Sequence, residues 1–316
     1  MAKIVVLAGG IGGSKLLAGF YECLKGDDLT VIGNTGDDIE LHGLRVCPDL
    51  DTITYTLTGN ADPQRGWGRR GESFHCLEEL RRLGAPDWFQ LGDRDLAFHL
   101  LRSQWLSQGM SLSRVTRRLG KALGLRCRLL PMSEDYRPTQ LLTDQGQLHV
   151  QEYFVREKTL PKVEKLLLPE SDSPAAGILP ALREARAVII APSNPFLSIQ
   201  PILRLDEITA LLESRRSSVV AVSPVVGGRS LKGPTGKMLQ ELGYEVSAAA
   251  VAALYRRIAG HFVLDEADRS LAPRVQSLGL DVHCTRTVMS SQADKVFLAK
   301  EILALADRFR GREAGT

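Results

Sequence analysis

The stretch that most constrains the fold runs from Ile4 to Lys15, where five apolar residues are followed by glycines at positions 9, 10, 12 and 13. Five consecutive apolar residues of this kind are typical of a buried parallel strand. The glycines predict a sharp turn. A helix opening at Lys15 would aim its first N–H groups and the positive end of its dipole at the space above that turn. The stretch therefore predicts a phosphate-binding turn. A ligand-free structural turn remains the alternative, because the glycine spacing matches neither a P-loop nor the dinucleotide pattern.

Apolar strands recur along the chain and alternate with segments of helical periodicity. This alternation predicts an α/β fold, a Rossmann-like doubly wound and mostly parallel sheet, in one domain spanning residues 1–316. Helices and a β-hairpin between about residues 60 and 180 are interpreted as an inserted cover region, whose part from 157 to 180 is loop-rich. Strands are predicted at 4–8, 29–33, 127–130, 187–191, 219–222, 261–264 and 282–284, and hairpin strands at 139–143 and 147–153. Helices are predicted at 53–57, 74–83, 96–106, 111–123, 206–212, 235–242, 248–258 and 293–309.

Several predicted strands end in polar or glycine-rich tips. Because open α/β sheets bind ligands at the carboxyl edge of their parallel strands, we expect these tips to line one crevice. The four segments concerned are the glycine turn at 9–13 and the tips at 34–38, 192–195 and 223–228.

Carboxylates cluster near this expected crevice, at Asp37, Asp38, Asp49 and Asp51. They offer hard oxygen ligands for Mg²⁺, and carboxylates beside a phosphate would repel it unless a cation lay between them. The alternative for Asp38 and Asp51 is helix capping, with Asp51 capping a helix at 53–57. The run 92–95 is likewise open to interpretation as a capped helix start.

Composition and motif content argue against several other classes of function and partner. Lys plus Arg number 40 against 37 Asp plus Glu, and a net charge of +3 points to neither a nucleic-acid nor a membrane partner. Five cysteines without C-x-x-C spacing favour neither a disulfide framework nor a zinc site. No apolar run approaches a membrane span and no secretory signal is evident, so a cytoplasmic location is expected. Nothing resembles a hydrolase motif.

Eight segments, taken in order, resemble the 2-phospho-L-lactate transferases of coenzyme F-420 synthesis, called CofD in archaea and FbiA in actinobacteria. The likeness extends from the first strand to the last helix. The segments are 8–15, 34–38, 48–52, 66–68, 91–95, 130–133, 191–195 and 222–224.

The resemblance implies a Mg²⁺-dependent transfer to the deazaflavin Fo. The terminal hydroxyl of the ribityl chain of Fo attacks a guanosine diphospho adduct of a three-carbon acid, the phosphate bearing the acid moves to Fo, and GMP leaves. Phosphoryl transfer of this kind depends on positioning and charge neutralisation. A homodimer is expected from the family alone.

The resemblance also implies roles for individual residues. Asp49 or Asp51 would bind the metal or the Fo hydroxyl, with Asp51 preferred for Fo, and Asp37 would orient the hydroxyl or a metal-bound water. Arg94 would counter transition-state charge, and Lys232 or Lys237 would hold the guanosine half. The residues expected to bind the phosphates or support their cradle are Gly10, Gly12, Gly13, Asn34, Ser193 and Asn194.

One departure from the archaeal pattern bears on the substrate. The first turn reads Gly-Gly-Ile-Gly-Gly-Ser-Lys, which is closer to the bacterial branch of the family, and this resemblance implies an enolpyruvyl adduct in place of the lactyl one. The acid is therefore left open among lactate, enolpyruvate and glycerate. Two other functions compete: a non-catalytic nucleotide-sugar binder similar to gluconeogenesis factor, and a nicotinamide oxidoreductase. The second is disfavoured by Asn34, since an acidic ribose ligand is expected at that strand tip.

Overall fold

The computed structural model describes residues 3–169 and 173–309 and places a seven-stranded parallel sheet at the centre of the molecule. The strands are β1 (Ile4–Ala8), β2 (Leu29–Gly33), β3 (Ile39–Leu41), β4 (Leu44–Val46), β5 (Arg128–Pro131), β6 (Gln140–Thr143), β7 (Gly146–His149), β8 (Val163–Leu167), β9 (Ala187–Ile190), β10 (Val219–Val222), β11 (Val225–Val226), β12 (Arg229–Ser230), β13 (His261–Asp265) and β14 (Asp281–Thr285).

The central sheet has the strand order β14-β13-β10-β9-β1-β2-β5, and every pairing in it is parallel. All residues of β1, β2, β9 and β10 are buried, as expected for strands covered by helices on both faces. The chain order reverses between β1 and β9, so the crevice at the carboxyl ends of these two strands is the topological switch point. The predicted Rossmann-like sheet is confirmed.

Helices cover both faces of the sheet. The α-helices are α1 (Gly10–Cys23), α2 (Pro48–Leu57), α3 (His75–Arg82), α4 (Asp93–Ser107), α5 (Leu112–Ala122), α6 (Ile178–Glu184), α7 (Gln200–Leu203), α8 (Asp206–Ser214), α9 (Thr235–Glu241), α10 (Ala248–Tyr255), α11 (Ala272–Gln276) and α12 (Gln292–Asp307). Two π-helical turns (Glu152–Arg156 and Pro195–Ile199) and three 3-10 turns (Gly26–Asp28, Arg216–Ser218 and Glu266–Leu271) complete the described elements. No helix in the described ranges is long and apolar enough to cross a membrane.

Two helix starts differ from the prediction. Helix α1 begins at Gly10 and not at Lys15, so Gly12 and Gly13 lie inside its first turn. Only Gly9 and Gly10 form the bend, and Gly10 has a φ of +66° that favours glycine. Helix α2 begins at Pro48, with Cys47 at its N-cap, so the prediction that Asp51 caps this helix is wrong.

The helix predicted at 96–106 is confirmed as part of α4, but its apolar residues at 96, 100 and 101 do not form the buried face. Leu100 and Leu101 are exposed. The buried face instead carries Phe98 together with three polar side chains, those of Asp95, His99 and Arg102. Apolar periodicity misses such a face because its buried groups are charged and paired.

The region between residues 125 and 180 is only partly an insertion. Strand β5, predicted near Cys127–Leu130 as part of the inserted region, is the edge strand of the central sheet beside β2. The predicted hairpin is confirmed as β6 and β7, to which β8 adds a third antiparallel strand. The loop predicted over 157–180 contains β8 and the start of α6, while residues 170–172 lie outside the described residues.

Candidate active site

One cavity of about 670 Å³ opens at the carboxyl edge of the central sheet. Residues from all four predicted tips line it, among them Gly10, Asp37, Ser193 and Ser223. The expectation that the tips share one crevice is confirmed. From the tip at 223–228, only Ser223 and Pro224 reach the lining.

The first turn of α1 forms the floor of the cavity. Gly9, Gly10, Ile11 and Gly12 all line it. A Cβ on Gly12 would lie 2.5 Å from the carbonyl oxygen of Pro192, so only glycine lets α1 sit this close to the turn after β9. Because the first N–H groups of a helix have no partner within the helix, those of Ile11 and Gly12 and the dipole of α1 favour an anion here.

The backbone N–H groups of the bend itself are already engaged. Gly9 donates to Ser193 Oγ at 3.2 Å, and the same hydroxyl donates back to the Gly9 carbonyl at 2.7 Å. Gly10 donates to Asp49 Oδ1 at 2.5 Å. Ser193 and Gly10 therefore shape the bend, although both still line the cavity.

Three predicted binding residues lie at or behind the wall. Gly13 does not line the cavity; a Cβ there would lie 2.5 Å from Ser193 Oγ, so Gly13 allows close packing. Asn194 lines the cavity, and its side chain accepts hydrogen bonds from Phe196 N and Leu197 N at the start of a π-helical turn. The third residue, Asn34, has 0% exposure and orders the acidic loop.

Asn34 links the acidic side chains. Its Nδ2 donates to Asp49 Oδ2 at 2.8 Å and lies 3.5 Å from Asp37 Oδ1. Asp37 also accepts a 3.0 Å hydrogen bond from Gln151 Nε2. Both carboxyl groups line the cavity and both are buried.

Within residues 3–169 and 173–309, no Lys, Arg or His side chain forms an ion pair with Asp37 or Asp49. Burial and the charges of Asp49 and Asp38 raise the pKa of Asp37 well above its usual range. Burial raises the pKa of Asp49 to about 6, even though the hydrogen bonds from Asn34 and Gly10 oppose the shift. Two neighbouring buried carboxyl groups repel an anion but offer good oxygen ligands to a hard cation.

The Asp51 carboxyl group is held differently. Arg102 donates from Nη1 to Asp51 Oδ2 at 2.9 Å and from Nη2 to Asp51 Oδ1, so both oxygens have a cationic partner. Asp51 is buried and lines the cavity. This forked pair gives Asp51 less need of a metal than Asp37 or Asp49 has.

Two lysines form a positive side of the same cavity. Lys15 Nζ donates to the Met289 carbonyl at 2.9 Å, and Lys232 is exposed at the rim. Burial and the charges of Lys232 and Lys295 lower the pKa of Lys15. Because these neighbouring positive charges repel one another, an anion bound beside them would be stabilised.

Two cationic residues named from the resemblance lie elsewhere. Arg94 is exposed, does not line the cavity, and donates from Nη1 to the Arg70 carbonyl at 2.8 Å. Lys237 is also absent from the lining and instead donates to the Pro161 carbonyl at 2.7 Å. The structure thus does not bring Arg94 to the other predicted residues, whereas it does place Lys232 there.

Sequence reasoning missed part of the lining. Gln151, His99 and the segment 287–290 reach the cavity, and no local pattern marks them, because the fold brings them from distant segments. It also missed a rim of half-exposed apolar side chains. The rim residues are Trp67 (40% exposed), Phe154 (45%), Leu231 (52%) and Val288 (40%).

No group of three or more His, Cys, Asp or Glu side chains that could hold a metal exists among residues 3–169 and 173–309. Mg²⁺, however, is commonly held by one or two carboxylates together with waters and substrate phosphates. Asp37 and Asp49 meet that requirement, since they lie together at the floor where an incoming phosphate would otherwise meet negative charge.

Comparison with known proteins gives consistent matches over the whole chain. The family model described as 2-phospho-L-lactate transferase CofD matches residues 4–288. A phosphoenolpyruvate transferase of Streptomyces avermitilis is 42% identical over 98% of this chain and 99% of its own length. A 2-phospho-L-lactate transferase of Methanothermobacter thermautotrophicus is 37% identical over 96% and 97%. A solved structure, protein BH3568 of Bacillus halodurans, has a TM-score of 0.64 at 17% identity over 96% and 99%, which shows the fold alone.

Proposed function

The chain belongs to the CofD family of 2-phospho-L-lactate transferases, phospho-transfer enzymes of coenzyme F-420 biosynthesis, and on this premise we propose how its cavity performs the reaction. The donor is a guanosine diphospho adduct of a three-carbon acid. The acceptor is the terminal ribityl hydroxyl of the deazaflavin Fo. A bond forms between that hydroxyl oxygen and the phosphorus bearing the acid, the bond from this phosphorus to the GMP oxygen breaks, and the hydroxyl proton is released.

One observation carries the proposal: the lining of a single cavity has an acidic part, whose carboxyl groups have no cationic partner among the described residues, and a basic part. Asp37 and Asp49 lie near the floor, and Lys15 and Lys232 line the same cavity. A diphosphate with a divalent cation satisfies both parts at once. A neutral ligand would satisfy neither, and a free anion would be repelled by the two carboxylates.

Asp37 and Asp49 would hold Mg²⁺, which when bound neutralises charge on the diphosphate oxygens. Asp51, which Arg102 already neutralises, is assigned to the Fo hydroxyl and not to the metal. The N–H groups at the start of α1 and the ammonium group of Lys15 would stabilise the negative charge that the transferred phosphate and the leaving GMP carry. Lys232, at the rim, would hold the guanosine half of the donor.

The apolar rim supplies a place for the tricyclic ring of Fo. Trp67, Phe154, Leu231 and Val288 come from four separate segments and are each 40% or more exposed at the mouth of the cavity. Large apolar groups gathered around a cavity mouth mark a ligand surface. A planar aromatic ring bound there would direct its ribityl chain inward, toward Asp51.

We propose enolpyruvate as the acid. The relative from Streptomyces avermitilis, named for phosphoenolpyruvate, is more similar to this chain than the archaeal one named for 2-phospho-L-lactate. The first turn, Ile11 to Ser14, also resembles that of the bacterial branch. The homodimer and the cytoplasmic location remain predictions.

The test is to mix the purified protein with Fo, Mg²⁺ and, separately, the guanosine diphospho adducts of enolpyruvate, lactate and glycerate, and to follow product mass. The enolpyruvyl adduct should give the fastest formation of a phosphodiester with Fo. Faster reaction of the lactyl or glyceryl adduct would overturn the choice of acid. Absence of phosphodiester with all three adducts would overturn the proposed reaction and return the nucleotide-sugar binder to consideration.

A further inference from the structure

A buried chain of polar side chains lies directly behind Asp51. Arg102, 1% exposed, grips both oxygens of Asp51 with Nη1 and Nη2. These two residues are 51 positions apart in the sequence, and they join the first turn of α2 to the middle of α4. A fork that holds both carboxylate oxygens fixes the plane of the carboxylate as well as its position.

His99 in turn fixes the guanidinium. Arg102 Nη1 lies 3.0 Å from His99 Nδ1. Because arginine can only donate, Nδ1 is the acceptor and the ring proton sits on Nε2. Nε2 faces Asp95 Oδ1 at 3.4 Å, and Tyr55 donates to that same oxygen at 2.6 Å. Nε2 makes no hydrogen bond among the described residues, so the contact of Nδ1 with the guanidinium is the hydrogen bond that orients the ring of His99.

Stability alone is a weak reason for this arrangement. Buried ion pairs are often no more stabilising than apolar side chains of similar volume. Arg102 Nε has no hydrogen-bond partner among the described residues, which adds a desolvation cost. The side chains of this polar chain, however, form part of the cavity wall: Asp51, Tyr55, Asp95 and His99 all line the cavity.

We propose that Arg102, held by His99, is a positioning residue that presents Asp51 to the attacking hydroxyl as a fixed hydrogen-bond acceptor and keeps it from serving as a metal ligand. The inference rests on the proposed function. With the guanidinium on one side of Asp51, the oxygens retain free lone pairs toward the cavity. Those lone pairs accept the hydroxyl of the acceptor and aim its oxygen at the phosphorus.

The first test compares Arg102→Lys with Arg45→Lys. Lysine keeps the positive charge but cannot donate to both carboxylate oxygens in the planar geometry of arginine. Arg45 is a matched control because it is also buried, pairs with Asp38 at 3.0 Å, and does not line the cavity. We expect kcat of Arg102→Lys to fall about 100-fold, as for a misplaced reacting group, with KM for the diphospho adduct unchanged. Arg45→Lys should retain wild-type kcat. Equal kcat values for the two variants would overturn the proposal.

The second test concerns the metal and needs no turnover. Mn²⁺ binding, followed by electron paramagnetic resonance, should be unchanged in Asp51→Asn and weakened in Asp49→Asn. Equal weakening in both variants would overturn the assignment of Asp51. If the wild-type protein forms no product, the proposed function is wrong. The Mn²⁺ comparison measures binding alone, so it tests the assignment of Asp51 separately.

A third pair of variants covers the case in which Arg102→Lys does not fold. His99→Gln offers a carbonyl oxygen that can accept from Arg102 in place of Nδ1, while His99→Leu cannot. We expect the glutamine variant to keep more turnover than the leucine variant, with thermal midpoints compared to control for stability. Equal kcat in two folded variants would contradict a positioning role.

Discussion

The backbone N–H of Gly10 donates to Asp49 Oδ1 at 2.5 Å, and this bond ties the first turn of α1 to the first turn of α2. A carboxylate therefore lies at the mouth of the helix N-terminus that would receive a phosphate. An anion and this carboxylate would repel each other without a cation between them, so the bond supports a metal-bridged diphosphate.

Asp49→Asn tests this argument. Asparagine keeps an oxygen that accepts from Gly10 N–H but removes the negative charge. We expect the fold to be kept and transfer to fall at least about 100-fold, as when one charge-stabilising group is removed. Affinity for Mn²⁺ should fall in parallel. Asp87→Asn, on an exposed ion pair with Arg81, is the control that should keep full activity. Wild-type activity in Asp49→Asn would contradict the assignment.

Gly12→Ala tests the packing of the first turn. The new Cβ would meet the Pro192 carbonyl at 2.5 Å, so α1 must shift, and we expect a loss of about 1–3 kcal/mol in the free energy of unfolding. Gly236→Ala in α9 is the matched control, because its Cβ meets nothing closer than 3.4 Å. A helical Gly→Ala change without a clash should be stabilising by about 0.5–1 kcal/mol. Urea unfolding measures both, and equal stability in the two variants would contradict the close approach.

Lys232→Met tests the positive side of the cavity. The rim ammonium is expected to attract and hold the diphosphate, so its loss should raise KM for the guanosine adduct about 10-fold and leave kcat for bound substrate nearly unchanged. The difference from wild type should shrink as salt is added, since exposed charges are screened. Lys165→Met, on an exposed position of β8, serves as the control. An unchanged KM would remove Lys232 from the site.

The pH dependence of stability tests the network behind Asp51. Burial alone would raise the pKa of Asp95, but the interactions of its carboxylate with His99, Tyr55 and Arg102 outweigh that effect and hold the pKa below its usual range. A carboxyl group with a lowered folded pKa contributes stability above its unfolded pKa of about 3.9. That contribution disappears as the pH falls through the folded value.

Asp95→Asn should therefore cost more stability at neutral pH than in acid. The difference between wild type and variant in the free energy of unfolding should be constant at neutral pH and shrink as the pH falls below the unfolded pKa of about 3.9. Denaturant titrations at several pH values measure it. A difference that stays constant, or grows as the pH falls, would contradict the arrangement of Asp95 with His99 and Tyr55.

The sequence predicts the sheet well because its strands are short apolar runs that end in polar tips, which is a local signal. Strands β1, β2, β9 and β10 follow this pattern and are fully buried. It misplaces the start of α1 because three glycines obscure helical propensity, and only packing against Pro192 shows why they belong in the helix. Strand β5 could not be assigned to the central sheet, since parallel pairing with β2 is a contact across nearly a hundred residues.

The site was predictable only in part, for the same reason. Asp37 and Asp49 follow strand tips or begin a helix, so local patterns locate them. The grip of Arg102 on Asp51 and the position of Gln151 at Asp37 depend on distant segments meeting, and no spacing in the sequence encodes them. Arg94 shows the converse: a charged residue in a suggestive run that the fold directs to the Arg70 carbonyl and away from the cavity.

The most direct measurement of the central claim is a single-turnover reaction followed by phosphorus nuclear magnetic resonance, with enzyme in excess over the enolpyruvyl guanosine diphospho adduct and with Fo and Mg²⁺ present. The account predicts that the diphosphate resonances disappear while GMP and a phosphodiester of Fo appear in equal amounts, and that omission of Fo leaves the adduct intact. Consumption of the adduct without Fo, or its persistence with every component present, would contradict it.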